Sequence, residues 1–191
     1  MTSDSTEEFM ADPSSGIPAE TLDASVAGVG LSPGSFRDQL GAGETLLVFL
    51  RHFGCIFCRE TVGELRKAAN EVDGFPDVLF FFQGTPTEGR AFLRRDWPEA
   101  RAVADPELEF YERFGVRRAS YLESLGPSVL IAGRRARKKG YEGGPLSGDI
   151  WRMPGIFAIE GERVIWSFHP RHAADHPEFG EIPSLIRAAR G

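Results

Sequence analysis

The stretch "VFLRHFGCIFCRE", residues Val48–Glu60, holds both cysteines of the chain, Cys55 and Cys58, in a Cys-x-x-Cys motif. It overlaps the apolar run "TLLVFL" (Thr45–Leu50), and a short continuous run of this kind is typical of a strand buried on both faces. After the cysteines, apolar residues recur at helical spacing as far as Val72, which predicts an amphipathic helix. The motif is therefore expected where a strand turns into a helix, with its cysteines at the helix N-terminus.

A thiol at a helix N-terminus favours redox chemistry. Unpaired backbone N–H groups and the helix dipole stabilise an anion there, which lowers the pKa of a cysteine and increases the fraction of nucleophilic thiolate. A second cysteine one turn further on can close on the first, so that a mixed disulfide is resolved within the same chain. The motif therefore favours a redox-active dithiol.

Two other interpretations of the cysteines remain open at this point. Zinc usually takes four ligands, and besides the two cysteines the chain offers four histidines: His52, His169, His172 and His176. A static disulfide is the other interpretation, although a bridge across so short a loop would restrict the unfolded chain very little.

The first part of the chain alternates between strands and helices. Further strands are predicted at Asp77–Gly84 and Arg101–Asp105, and a helix with Asp105 as its cap is predicted to end at Gly115. Strands that alternate with helices predict a parallel sheet with right-handed crossovers.

The second part differs from the first. Residues Gly155–Glu160 and Arg163–Phe168 are strand-like segments separated by two turn residues, which predicts an antiparallel hairpin. The region 116–150 is interpreted as helical, and a closing helix is predicted at Ile182–Ala189. The expected fold class is α/β, with a central mixed sheet flanked by helices and a helical insertion before the C-terminal hairpin.

Composition limits the number of domains and the classes of partner that the chain can have. The chain has 191 residues and 41% hydrophobic residues, enough for one domain with a sizeable core. Residues 1–20 are rich in Ser, Glu, Asp and Pro and are expected to form a disordered tail, with a single domain at 21–191. The net charge of −6 argues against a nucleic-acid partner. No apolar run reaches the length of a membrane span and no secretory signal is evident, so a cytoplasmic protein with no membrane partner is expected.

Three segments in order, "LLVFLRHFGCIFCRE", "VADPELEFYERFGV" and "SGDIWRMPGIFAIEGERVIW", resemble the peroxiredoxin-like branch of the thioredoxin superfamily. This is the alkyl hydroperoxide reductase/thiol-specific antioxidant-like group that includes selenoprotein L-related and prostamide/prostaglandin F synthase-like proteins, and the resemblance runs from about Leu31 to the C-terminus. It implies a thioredoxin-like fold and a thiol–disulfide oxidoreductase or a thiol-dependent peroxidase. The Cys55–Cys58 dithiol would then be the only redox cofactor, without metal, flavin or nicotinamide. A disulfide or peroxide would be the substrate, and a thioredoxin system or a small thiol the reductant. Homodimers are common in the group.

The thioredoxin pattern implies roles for individual residues. Matched onto this chain, it makes Cys55 the attacking cysteine and Cys58 the resolving one. It also implies a cis-proline beside the dithiol, and Pro154 after Met153 stands at that position. From the residues themselves, Arg51 is expected to lower a thiolate pKa, because it ends the strand within a few residues of the sulfurs.

The peroxiredoxin pattern, Pro-x-x-x-Thr-x-x-Cys with a later Arg, fits less well. It places the peroxidatic cysteine at Cys58, with Arg51 where the pattern has Pro, Cys55 where it has Thr, and Pro154 where it has Arg. In a peroxidase the Thr and Arg polarise the peroxide and stabilise the thiolate. Arg51 and Arg152 are the candidates to replace them.

Three functional hypotheses follow. A thiol–disulfide oxidoreductase is the leading one. A peroxidase that reduces hydrogen peroxide or organic hydroperoxides is the nearest alternative, and it predicts a sulfenic acid at one cysteine. A non-enzymatic binding module whose dithiol acts as a redox switch is the alternative from another class, and it predicts a disulfide without turnover.

Overall fold

A six-stranded mixed sheet forms the centre of the protein, whose computed structural model describes residues 16–191. The strands are β1 (Gly28–Val29), β2 (Glu44–Phe49), β3 (Asp77–Phe82), β4 (Arg101–Ala104), β5 (Gly155–Glu160) and β6 (Arg163–Phe168). Their order across the sheet is β1-β4-β3-β2-β5-β6. Strands β2, β3 and β4 are parallel, and β1, β5 and β6 run antiparallel to their neighbours. The predicted mixed sheet is confirmed, whereas β1 was not predicted because two residues carry no periodic pattern.

Helices lie on both sides of this sheet. They are α1 (Ala19–Leu22), α2 (Ile56–Glu71), α3 (Pro86–Asp96), α4 (Glu109–Arg113), α5 (Tyr121–Leu125), α6 (Pro127–Lys138) and α7 (Ile182–Arg190), with 3-10 turns at Arg37–Gln39 and Phe179–Glu181. Helices α5 and α6 confirm the predicted helical insertion. Within residues 16–191, no helix has the length and apolar character needed to cross a membrane.

The core consists of two layers, one on each face of the sheet. Alternate residues of β2 point to opposite faces, so Leu46 and Val48 pack with α2, α3, α6 and α7 while Leu47 and Phe49 pack with α1 and α4. On the second face, the rings of Phe49 and Phe81 stack with their centroids 4.5 Å apart. The burial of β2 on both faces is therefore as predicted from its continuous apolar run.

The domain begins earlier than predicted. Ile17 is 4% exposed, and its N–H donates to the carbonyl of Glu162 at 2.7 Å. Residues 16–20, which the sequence analysis assigned to the tail, therefore pack onto the domain because Ile17 buries an apolar side chain there. The rest of the predicted tail lies outside the described residues.

The cap of α4 also differs from the prediction. The helix begins at Glu109, three residues later than expected, after Leu108 with a positive φ of 63°. The Asp105 carboxylate still accepts hydrogen bonds from the N–H groups of Glu109 at 2.9 Å, Phe110 at 2.8 Å and Tyr111 at 3.2 Å. Asp105 thus satisfies the helix N-terminus across an intervening turn.

The topology gathers distant segments at one edge of the sheet. The carboxyl ends of the parallel strands β2, β3 and β4 meet there, followed by Arg51, Gln83 and Asp105. Strand β5 starts at the same edge because it is antiparallel to β2, with Gly155 opposite Phe49. The Cys-x-x-Cys motif and the segment before β5 are therefore neighbours.

An ion pair between a buried carboxylate and an exposed lysine links the end of α6 to α2, the helix that begins at the Cys-x-x-Cys motif. Glu60 of α2 is 1% exposed, and neither carboxylate oxygen accepts a well-aligned hydrogen bond within residues 16–191. The Nζ of Lys139, just after α6, lies 2.9 Å from Glu60 Oε1. This cation is the compensation for the buried carboxylate.

Replacing Lys139 by methionine should lower the free energy of unfolding by about 2 kcal/mol, because a buried carboxylate loses its counter-charge. Urea denaturation measures the change. Lys138→Met is the matched control, since Lys138 forms no ion pair within the described residues and should change stability by less than about 0.5 kcal/mol. Equal losses in the two variants would contradict this account.

Candidate functional site

Both cysteines lie at the start of α2. Cys55 is the N-cap residue and Cys58 lies in the first turn. Both are free thiols, 5% and 3% exposed. The predicted strand–turn–helix junction is confirmed, and it places the two sulfurs close together beneath the protein surface.

The surroundings of the two thiols differ in their effect on the pKa. The Cys58 thiol donates a hydrogen bond to the Cys55 sulfur, and this lowers the pKa of Cys55 to about 6 against the opposing effect of burial. The Arg51 guanidinium and the backbone N–H groups of Cys58 and Phe57 lower the pKa of Cys55 further. Burial raises the pKa of Cys58 well above its ordinary value, and its hydrogen bond to Cys55 raises it again. At neutral pH the thiolate is therefore at Cys55.

Arg51 is a buried cation, only 5% exposed, whose guanidinium lies against Cys55. Its Nη1 is 3.8 Å from the Cys55 Sγ. Its Nη2 donates to the Ile150 carbonyl at 2.7 Å and to the Ser124 hydroxyl at 3.2 Å, and its Nε donates to the Arg152 carbonyl at 3.0 Å. No carboxylate within residues 16–191 pairs with it. The Cys55 thiolate is thus the anion placed to balance this charge.

Pro154 lines an apolar cavity of about 20 Å³ together with Cys58 and Arg51. Pro154 therefore lies near Cys58, but its peptide bond is not the expected one. Residues 16–191 contain no cis peptide bond, so the prediction of a cis-proline is wrong. The N–H of Met153 donates to the Arg117 carbonyl at 2.9 Å, which holds the chain extended, and a trans bond continues that extension into β5.

Other cationic side chains near the motif do not act on the sulfurs as cations. Burial, and then the charge of Arg51, lower the pKa of His52 to about 4, so this imidazole is neutral. Arg59 pairs with Asp96 at 2.9 Å. Arg152 contributes its carbonyl to Arg51, while its guanidinium donates to a different backbone carbonyl.

The described part of the chain brings together no group of three or more His, Cys, Asp or Glu side chains suited to a metal ion.

Sequence reasoning missed a segment that covers the active-site turn. Residues Gly143–Asp149, here called the strap, run across the loop before α2. The Gly144 N–H donates to the Gly54 carbonyl at 3.1 Å, and the Phe53 N–H donates to the Ser147 hydroxyl at 3.2 Å. The strap thus closes over the loop that carries Cys55.

Gln83 was also missed. At the end of β3 its side-chain amide donates to the Arg51 carbonyl and, at 3.1 Å, to the Asp149 carbonyl. Its amide oxygen accepts from the Asp149 N–H at 2.6 Å. Gln83 therefore joins the active-site turn to the strap. The sequence does indicate it, because Gln83 is a single polar residue at the end of the apolar run "DVLFFFQ". A polar side chain that is buried at such a position needs hydrogen-bond partners.

A family model described as AhpC/TSA antioxidant enzyme matches residues 64–172, more than half of the chain. The chain therefore belongs to the AhpC/TSA antioxidant enzyme family, and it is a thiol-dependent oxidoreductase or peroxidase. The match begins after the Cys-x-x-Cys motif, so it rests on the body of the domain and not on the cysteines.

Curated relatives extend the same similarity. The chain is 26% identical over 162 residues to peroxiredoxin-like 2C of Mus musculus, which covers 79% of this chain and 70% of the relative. It is 25% identical over 147 residues to prostamide/prostaglandin F synthase of Danio rerio, which covers 74% of this chain and 73% of the relative. The resemblance inferred from the sequence is confirmed at the level of the family.

Solved structures confirm the thioredoxin-like fold. A mutant of PrxQ from Xylella fastidiosa gives a TM-score of 0.63 at 11% identity, over 93% of this chain and 96% of that one. Thiol peroxidase from Chromobacterium violaceum gives a TM-score of 0.56 at 15% identity, over 87% and 82% of the two chains. At these identities the likeness concerns the fold alone.

Replacing Cys58 by alanine should raise the pKa of Cys55 above about 6, because the variant removes the hydrogen bond that lowers it most. Cys58→Ser is the matched control. Its serine hydroxyl can still donate a hydrogen bond to Cys55, so the pKa of Cys55 should rise less than in Cys58→Ala. The ultraviolet absorbance of the thiolate as a function of pH measures the pKa of Cys55 in both variants, in which Cys55 is the only cysteine. A pKa that does not rise in Cys58→Ala would contradict the assigned cause.

Replacing Gly54 by alanine should displace the strap. The added Cβ would lie 2.4 Å from the Pro145 carbonyl oxygen and 2.8 Å from that of Gly144, and both are backbone atoms. An overpacked contact costs about 1–3 kcal/mol, so amide exchange in the strap should accelerate about tenfold or more. Hydrogen-exchange mass spectrometry reports this rate. Gly43→Ala, with no atom within 4 Å of its Cβ, should leave the strap unchanged.

Proposed function

We propose that this protein is a thiol–disulfide oxidoreductase in which Cys55 attacks and Cys58 resolves. The observation that carries the proposal is the placement of Cys55 at the N-cap of α2, with its Sγ 3.8 Å from Arg51 Nη1 and with the Cys58 thiol as a hydrogen-bond donor to it. The two pKa values are displaced accordingly, downward for Cys55 and upward for Cys58. A thiolate attacks and a protonated neighbour waits to resolve, which is the division of labour that a dithiol enzyme needs.

The proposed reaction has two steps. The Cys55 thiolate attacks one sulfur of a substrate disulfide, a Cys55–substrate disulfide forms, and the other substrate sulfur leaves as a thiolate. Cys58 then loses its proton and attacks the Cys55 sulfur, which forms the Cys55–Cys58 disulfide and releases the second substrate thiol. Two electrons have passed from the enzyme to the substrate. An external dithiol, or two molecules of a small thiol, returns them in a reducing compartment such as the cytoplasm.

Peroxide reduction is the second candidate, and the family match favours it. The Cys55 thiolate would attack one peroxide oxygen, forming a sulfenic acid while the other oxygen leaves and takes a proton to become an alcohol or water. The Cys58 thiol would condense with the sulfenic acid to give the same disulfide and one molecule of water. Arg51, with Nη1 3.8 Å from the Cys55 Sγ, is the donor available to polarise the peroxide where the peroxiredoxin pattern has other residues.

Stopped-flow oxidation of the fully reduced protein separates the two candidates. Hydrogen peroxide, cumene hydroperoxide and a prostaglandin endoperoxide are the peroxides to compare, the last because one relative is named a prostamide/prostaglandin F synthase. Reduction of insulin by the same preparation reports disulfide exchange. Cys55→Ser and Cys58→Ser accompany the wild type in both assays.

If the protein is the proposed oxidoreductase, the wild type reduces insulin and Cys55→Ser abolishes this activity. Peroxide then oxidises the protein no faster than it oxidises free cysteine. Fast oxidation that Cys55→Ser abolishes and Cys58→Ser retains as a sulfenic acid would favour the peroxidase with Cys55 as nucleophile. Fast oxidation that survives Cys55→Ser but not Cys58→Ser would overturn the assignment of the attacking sulfur. A Cys55–Cys58 disulfide that forms without catalytic turnover in any assay would support the redox-switch hypothesis instead.

A further inference from the structure

The exposed large apolar side chains of the described residues lie in one region, between residues 121 and 146. They are Tyr121, Leu122, Leu125, Leu130, Ile131 and Leu146, between 51% and 72% exposed. Three of them lie on α5, where their spacing places them on one side of the helix, whereas Ser124 of the same helix is buried. The outer surface of α5 is therefore almost entirely apolar.

Helix α6 adds positive charge to this surface. Its buried side is small and apolar, with Val129, Ala132 and Ala136 among the buried residues. The remaining long side chains span an arc of about 160° on the opposite side of the helix. They are Leu130, Ile131, Arg134, Arg135, Arg137 and Lys138.

These four cations are not neutralised by the protein. None of their side chains forms a hydrogen bond or an ion pair with another described residue, whereas the neighbouring Lys139 is turned toward Glu60. Residues 127–141 contain no Asp or Glu, although the whole chain has a net charge of −6. The positive charge is thus concentrated on the same face of α6 as Leu130 and Ile131, next to the apolar surface of α5.

We propose that the outer surface of α5 and α6, the α5–α6 face, docks on an anionic phospholipid bilayer. Helices that combine exposed aliphatic side chains with unpaired Lys and Arg lie in the membrane interface, where cations meet lipid headgroups and aliphatic groups enter the acyl boundary. Five of the six apolar side chains are Leu or Ile, and residues such as Leu122, 72% exposed, project outward. A fluid acyl layer accepts projecting side chains without a matching pocket, which a protein partner would need.

This surface lies directly over the dithiol. Ser124, on the inner side of α5, accepts from Arg51, whose guanidinium contacts Cys55. Docking would therefore bring Cys55 within one helix of the bilayer, where lipid hydroperoxides form; that consequence, unlike the docking itself, rests on the peroxidase candidate of the proposed function. The sequence predicted no membrane partner because no segment is long enough to span, and interfacial docking requires no span.

Co-sedimentation of the full chain with phospholipid vesicles tests the docking. Binding is expected to vesicles of phosphatidylcholine with phosphatidylglycerol, to weaken with added salt, and to be absent with phosphatidylcholine alone. Arg134→Gln with Lys138→Gln should weaken binding about 25-fold, at about fivefold for each cation removed. Leu122→Ser with Ile131→Ser should also weaken it, because the aliphatic groups no longer enter the acyl boundary.

The matched control is Arg90→Gln with Arg94→Gln on α3. These exposed arginines have the same four-residue spacing and no ion pair within the described residues, so vesicle binding should change less than twofold. A control variant that loses as much binding as the patch variant would overturn the proposal, since net charge alone would then explain it. No binding to phosphatidylglycerol vesicles at low salt would overturn it as well. In that case, a wild-type dimer that dissociates in the Leu122→Ser, Ile131→Ser variant would show that the α5–α6 face binds a second copy of this chain. A monomeric wild type would leave an acidic protein as the partner of this face.

Discussion

The buried guanidinium of Arg51 is the constraint on which the site depends. A cation that is only 5% exposed must be compensated, and within residues 16–191 no carboxylate does so. Two backbone carbonyls and the Ser124 hydroxyl satisfy its donors without cancelling its charge. The anion within reach is the thiolate of Cys55, 3.8 Å away. Because Cys58 donates a hydrogen bond to the same sulfur, the two effects act together to keep Cys55 ionised while Cys58 stays protonated.

Several elements hold this arrangement in place from outside the motif. Gln83 binds the carbonyl of Arg51 and the strap residue Asp149, which directly precedes the acceptor Ile150. The hydroxyl of Tyr111 on α4 shares its hydrogen bond between the carbonyls of Leu50 and Phe81. This contact fixes the chain just after β2, next to Arg51. The site is thus set by side chains from both faces of the sheet.

Local patterns were enough to predict the elements but not the network. The apolar run before Cys55 and the helical spacing after Cys58 predicted the junction, because both signals lie within a few residues of the sulfurs. The partners of Arg51 were not predictable, since Ser124 and Ile150 are 73 and 99 positions away and are brought together only by the antiparallel entry of β5. The resemblance implies a cis bond at Pro154, and no local pattern in the sequence indicates the trans bond that the structure has.

The candidate site lies on the body of an antioxidant enzyme family, and we propose that its paired cysteines carry out disulfide exchange. The direct test of this account is carbon-13 NMR of the reduced protein labelled at the cysteine Cβ atoms, titrated with pH. The account predicts that the Cys55 signal titrates at about pH 6 and that the Cys58 signal stays in its thiol position well into the alkaline range. A Cys58 signal that titrates first would contradict it, because the nucleophile would then be the wrong sulfur.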